Sequence, residues 1–420
     1  MKKILAIVLI LALVFAVFAC NNKDNTSTSG NNNNGGSAAD TGSGSGSGSS
    51  PSASPSASPS ASPSENAPAA SPSPSENAPS ANPPAQSSGY ELALITDLGT
   101  IDDRSFNQGA WEGLVKYAQE NSITHKYYQP AAQGDDAYLN AIDLAVQGGA
   151  KVIVTPGFLF EVPVFLAQDR YPDVKFVLLD GSPNNGDYDD FVGKVSPNTV
   201  SVFYAEEQSG FLAGYAAVKD GYRSLGFMGG MAVPAVIRFG HGYIQGADFA
   251  AKELGLAKGA VTINYFYTGT FAPSPDIQTR AAAWYNEGVE VIFSCGGGIC
   301  FSIFPAAENS GNVVIGVDGD QSSESPTVIT SAMKMLTTSV YDCLRDFYEG
   351  KFQGGQTLLF SASSDGVGLP MDTSKFKTFT ESEYNAVYTK LASGAIVVDN
   401  NIEIAPDAVA TEIVAVRNLG

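Results

Sequence analysis

Between Ile95 and Leu114 the chain reads ITDLGTIDDRSFNQGAWEGL, which crowds Asp97, Asp102, Asp103, Arg104, Phe106 and Asn107 into one turn. A ring, an amide and a carboxylate at one turn can stack on and hydrogen-bond a flat, polar molecule. Asp97 ends an apolar run and has no capping duty nearby. Phe106 and Asn107 fall on the first turn of the helix that follows. Some of the polarity has a local purpose. Ser105 and Gln108 fit a capping box with Ser105 as N-cap, and Asp102 and Asp103 suit a helix N-terminus as solvated acids. Trp111, one turn beyond Asn107, reads as a packing residue.

Similar signatures recur where other apolar runs end: Pro156-Gly157-Phe158, Asp180-Gly181, Gly229-Gly230, Gly296-Gly297-Gly298 and Asp318-Gly319-Asp320. Their accumulation says more than any one of them. Asp180 fits a ligand contact and a turn-closing role equally well. The chemistry on offer is binding chemistry. There is no G-x-S-x-G elbow and no Walker A loop, and the two histidines, His125 and His241, lie far from each other and from the cysteines. No enzyme, cofactor or metal is expected.

The elements that must position these residues alternate in kind. ELALITD precedes a helix over 105–120, HKYYQP a helix over 135–147, and KVIVTPG a helix over 162–170; KFVLLDG follows. FVGKVS leads into a long helix over 200–219. A second series runs SLGFMGG, helix 235–254, VTINYFY, helix 277–287, VIFSCGG, helix 299–309 and VVIGVDGD. The apolar runs are continuous, as strands covered on both faces require. Repeated strand and helix with short loops predict an α/β fold with parallel sheets and right-handed crossovers. Two series predict two doubly wound lobes, with ligand beyond the carboxyl ends of the strands. Lobe 1 is expected over about 90–198 plus 324–355, and lobe 2 over about 199–323 plus 356–420.

Residues 1–20, MKKILAIVLILALVFAVFAC, combine a basic start, an apolar stretch and Ala19-Cys20. That pattern reads as a secretory signal ending in a lipidated cysteine, so a lipid anchor on the outer side of the cell membrane is expected. Residues 21–89 are Gly-, Ser-, Pro- and Asn-rich and hold too little apolar surface to fold. They predict a disordered tether whose root-mean-square reach is roughly 50 Å. Net charge is −20, with three lysines and four acids in residues 1–89. An acidic folded part argues against nucleic acid as a partner. After Cys20, the cysteines Cys295, Cys300 and Cys343 make no disulfide framework, although Cys295 and Cys300 flank a glycine loop and could pair.

With ITDLGTIDDRSFNQGAWEGL, the chain carries EEQSGFLAGYAA (206–217), GFMGGMAVPAVIRFGHGYIQG (226–246), FYTGTF (266–271), CGGGICF (295–301), GVDGDQ (316–321) and TSAMK (330–334) in order. It thereby resembles the basic-membrane-protein family of bacterial lipoproteins over residues 90–420. The resemblance implies a type I periplasmic-binding-protein fold with a multi-crossover hinge. It also implies a monomer that binds purine nucleosides (adenosine, guanosine, inosine) and delivers them to an ABC transporter permease. By motif, Asp97, Phe106 and Asn107 would meet the base from lobe 1, and Phe271 would stack on its other face. Asp318, Lys334 and the Gly296-Gly297 backbone would hold the ribose, and Asp180 could bond the base. A sugar or autoinducer receptor on the same fold, or a surface adhesin, is the alternative. A signal and tether in place of a helix-turn-helix argue against a regulator.

Overall fold

The computed structural model describes residues 89–97, 99–187 and 189–420. The leader with Cys20 and the tether through residue 88 lie outside the described residues. The first series is β1 (Leu92–Ile95), α1 (Phe106–Glu120), β2 (His125–Tyr128), α2 (Asp135–Gln147), β3 (Val152–Pro156), α3 (Glu161–Arg170), β4 (Lys175–Leu179) and β5 (Thr199–Tyr204). The second is α4 (Glu206–Lys219), β6 (Ser224–Gly229), α5 (Pro234–Glu253), β7 (Val261–Tyr267), α6 (Pro275–Asn286), β8 (Val291–Cys295), α7 (Cys300–Ser310), β9 (Val313–Asp318) and β10 (Val328–Lys334). Then come α8 (Leu336–Tyr348), β11 (Gln356–Phe360), β12 (Val367–Gly368), α9 (Glu381–Ala392) and β13 (Val414–Asn418).

These strands make two sheets, ordered β11-β5-β4-β3-β1-β2 and β12-β10-β9-β8-β6-β7-β13. All pairings are parallel except β10 with β12. The runs LALI, VIVTP and VIFSC are buried at every position, as strands with helices on both faces must be. The chain passes between sheets after Tyr204, after Lys334 and after Phe360. This is the two-lobed, doubly wound α/β architecture with a multi-crossover hinge.

Three expectations change. Residues 199–204 form a strand of the first sheet, not the start of a helix, because TVSVFY is β-branched and aromatic and pairs with both β4 and β11. The lobe boundaries move with it: 199–204 and 356–360 belong to the first sheet, and 328–334 to the second. FVGKVS makes no strand. Phe191 and Val192 are exposed, and only Gly193 bridges, to Asn184.

In the second lobe α4 crosses α5 with backbone against backbone. A Cβ on Gly210 would lie 2.0 Å from the Phe239 carbonyl oxygen, and one on Gly246 would lie 1.9 Å from that of Phe211. Only glycine permits that approach. The crossing fixes the start of α4, where Glu206 sits, against α5, which carries Arg238. No helix among the described residues is long and apolar enough to cross a membrane.

Candidate functional site

The turn from β1 into α1 is organised by Asp103. Its Oδ1 accepts from the backbone N–H of Ser105 (2.9 Å) and Gln108 (3.1 Å), and its Oδ2 accepts from Asn107 N–H (3.0 Å) and Asn107 Nδ2 (3.0 Å). Burial pushes this carboxyl above the ordinary range, and the hydrogen bonds pull it back. Asp103 is therefore the buried cap of α1. The expected capping box does not form, because the Ser105 side chain is used elsewhere and the Gln108 carbonyl oxygen accepts from Arg104 N–H. Asn107 Nδ2 also donates to Asp97 Oδ1 (2.9 Å), and that oxygen takes Gly99 N–H (2.8 Å). Both amide hydrogens of Asn107 are thus committed to carboxylates, which fixes the amide's orientation and ties Asp97 to the helix.

A second group of charges gathers where β4, β9 and β10 end. Lys334 is buried, with Nζ 2.5 Å from Asp180 Oδ2, 3.3 Å from Glu206 Oε1 and 3.7 Å from Asp318 Oδ1. Burial works against the ammonium, but the three carboxylates more than reverse it and hold Lys334 above the ordinary lysine range. Glu206 is fully buried and also meets Arg238 Nε at 2.6 Å. Burial alone would raise it; Lys334 and Arg238 hold it below the usual range. Burial pushes Asp180 up, to about 7, against the pull of Lys334. Asp318 is raised by burial, with Lys334 and Ser105 opposing. The Lys334 ammonium also lies 4.6 Å from the Phe106 ring centroid and 5.5 Å from that of Phe239, cation–π contacts that partly replace lost hydration.

Asp180 and Asp318 share an uncommon backbone, with φ of 53° and 65° at the ends of β4 and β9. A left-handed non-glycine residue costs roughly 1 kcal/mol, least for Asp or Asn. Both turn the chain sharply where a strand meets the cleft.

The opposite wall is shaped by clearance. Phe271 lies on Gly230 so closely that a Cβ there would stand 2.4 Å from the ring. Gly296 packs on the Gly230 backbone, where a Cβ would stand 2.7 Å from nitrogen, and Gly297 has φ 54°. Cys295, Cys300 and Cys343 are buried free thiols, and burial pushes the Cys295 thiol up.

These walls enclose one cavity of about 600 Å³ between the lobes. All nine residues singled out for ligand contact line it: Asp97, Phe106, Asn107, Asp180, Phe271, Gly296, Gly297, Asp318 and Lys334. Asp102 does not; Asp103 does, as a buried cap and not a solvated acid. Sequence reasoning missed Phe158, Met231 and Phe239 on the lining, and Glu206 and Arg238 behind Lys334. Pro156-Gly157-Phe158 was a visible signal for Phe158. Glu206 and Arg238 carried none, since an acid at a helix start ordinarily serves the helix dipole in water.

Two doubly wound lobes, three crossovers and one largely apolar, aromatic cavity with a few charged groups at the strand ends define a bilobal solute-binding protein. The comparisons agree. The family model described as Bmp, ABC transporter substrate-binding protein PnrA-like, matches residues 91–401. The chain is 32% identical over 310 residues to the ABC transporter nucleoside-binding protein BmpA of Lactococcus lactis subsp. cremoris, covering 68% of this chain and 83% of that one. It is 28% identical over 306 residues to the CD4+ T-cell-stimulating antigen of Listeria monocytogenes, covering 67% and 80%. A crystal structure of an ABC transporter system solute-binding protein from Aeropyrum pernix superposes with a TM-score of 0.60 at 24% identity, over 76% of this chain and 84% of that one, and shares the fold. The chain belongs to the Bmp family of ABC transporter substrate-binding proteins.

Proposed function

We propose that this protein is a lipid-anchored, extracytoplasmic receptor that takes a purine nucleoside into the interlobe cavity and hands it to an ABC importer permease. The observation that carries this reading is the convergence of a π-stacking pair and a set of carboxylates on one cavity of about 600 Å³, a size suited to a small organic ligand. Phe106 and Phe271 face the cavity from different lobes and would sandwich the base. Asp97, held by Asn107 and Gly99, would accept from the base edge; Asn107 has only its carbonyl oxygen to offer, and that oxygen also accepts from Asp97 N–H at 3.4 Å. Asp180 would share in base recognition while paired to Lys334. Asp318, Lys334 and the Gly296-Gly297 backbone would take the vicinal ribose hydroxyls, which carboxylates accept well.

The Lactococcus relative named for nucleoside binding supports the ligand class. The Cys20 motif supports the anchor. Closure of the lobes on the ligand follows from placing contacts on both sides of a hinge. The test is mass spectrometry of small molecules released on denaturing the purified protein. A purine nucleoside is expected; a hexose in its place would move the reading to a sugar receptor.

A further inference from the structure

The walls of the cavity are not the only place where the lobes meet. Gln321, in the turn after β9, is 1% exposed and lies outside the cavity lining. Its Oε1 accepts from Val317 N–H (3.1 Å), which fixes the amide, and its Nε2 donates to the carbonyl of Arg104 (2.7 Å) in the first lobe. Arg104 has φ 59°, a left-handed conformation that arginine rarely adopts. Its Nε also meets Glu324 at 3.3 Å. Beside them, Ser105 Oγ donates to Asp318 Oδ2 across the same gap. Gln321 has room because position 316 is glycine: a Cβ there would stand 2.5 Å from Oε1.

We propose that Gln321 is a positioning residue that latches the lobes by reading the Arg104 carbonyl, and so sets ligand affinity without touching ligand. This rests on the hinged-receptor reading above. When the lobes part, the Nε2 bond is lost while the Val317 bond, internal to the second lobe, stays. Only the closed state therefore gains from the donor. Apparent affinity scales with the fraction of closed, competent protein, so a weakened latch lowers affinity for every ligand by one common factor.

The test is Gln321→Glu at pH 8, which keeps the acceptor for Val317 and removes the donor to Arg104. Two readouts are taken on the full chain. Calorimetry with adenosine and guanosine should show both weakened about tenfold and by the same factor. Spin labels at Leu144→Cys on α2 and Leu254→Cys beyond α5, in a Cys20→Ser background where the remaining cysteines are buried, should show longer interlobe distances without ligand. If Gln321→Glu does not fold, Gln321→Met removes the same donor to Arg104 without adding a charge, and the same distances should lengthen. An unchanged distance distribution, or factors that differ between ligands, overturns the latch. A wild-type protein that binds no nucleoside overturns the receptor reading instead, and the ligand-free distances then decide the latch alone.

Discussion

The two walls of the cavity are built by different means. The first-lobe wall is a hydrogen-bonded network inside a single turn: Asp103 caps α1, Asn107 bridges Asp103 and Asp97, and Asp97 holds Gly99. It is finished before the second lobe arrives. The second-lobe wall is shaped by missing side chains at Gly230 and Gly296, and its charges are completed from across the cleft, Lys334 by Asp180 and Asp318 by Ser105. One wall is organised locally and the other depends on closure. Damage to the first should remove particular ligand contacts. Damage to the second should also disturb how the lobes come together.

The largest break in that contrast should come from Lys334→Met. It leaves Asp180, Glu206 and Asp318 buried without the shared cation, and losing one partner of a buried pair costs about 3–5 kcal/mol. Thermal and denaturant unfolding should show that loss, together with lost ligand binding. Asp97→Ala, which removes one acceptor from a wall with several others, should leave the melting temperature within a few degrees while weakening ligand. Equal stability losses in the two variants would erase the distinction.

A smaller effect sharpens the same point. Gly230→Ala places a methyl group where the Phe271 ring lies, so the ring must move into the cavity. Ligand affinity should fall about tenfold, equivalent to about 1.4 kcal/mol. Phe271→Leu in the Gly230→Ala background should cost less than Phe271→Leu alone, because the ring is already displaced. Full additivity by calorimetry would mean that Gly230 does not seat the ring.

A pH-dependent effect lies outside the cavity lining, at the start of α4. Burial raises the Glu207 carboxyl to about 7, above its unfolded value of 4.5. The folded state then holds a proton that the unfolded state has released, so stability falls as pH rises from about 4.5 to about 7 and stays lowered above that. Glu207→Gln removes the dependence. It should leave unfolding at pH 4 unchanged and stabilise by roughly 1–3 kcal/mol at pH 8. A stability gain of equal size at both pH values would mean that ionisation is not the cause.

The same division explains what could be read in the sequence. Asp97, Asp180, Gly296 and Asp318 were legible because each closes an apolar run, and in parallel sheets strand ends share one edge of the lobe. Phe106 and Asn107 were legible because they open the helix that follows, while Phe271 and Lys334 came only from the family resemblance. VTINYFY and residues 135–147 were legible because they follow one periodicity throughout. Residues 199–204 were not: TVSVFYAEEQSGF passes from strand to helix with no glycine or proline between, and one of the two pairings that hold TVSVFY as a strand comes from β11, far along the chain. Ser105 read as a local cap because its true partner, Asp318, is 213 residues away. Glu206 and Arg238 look like ordinary helix-surface charges until the glycine-mediated crossing of α4 and α5 buries them.

The central claim is that the charges of the second wall hold a ribose, while Asp97 and Phe106 of the first wall, with Phe271 opposite, hold a base. Calorimetry of wild type and Asp318→Ala with adenosine, adenine and a hexose tests it directly. Wild type should bind adenosine far more tightly than adenine, since a buried carboxylate that finds no hydroxyl costs a few kcal/mol. Asp318→Ala should narrow that gap by weakening adenosine. Unchanged adenosine affinity in Asp318→Ala, or a hexose that binds wild type better than adenosine, would contradict the account.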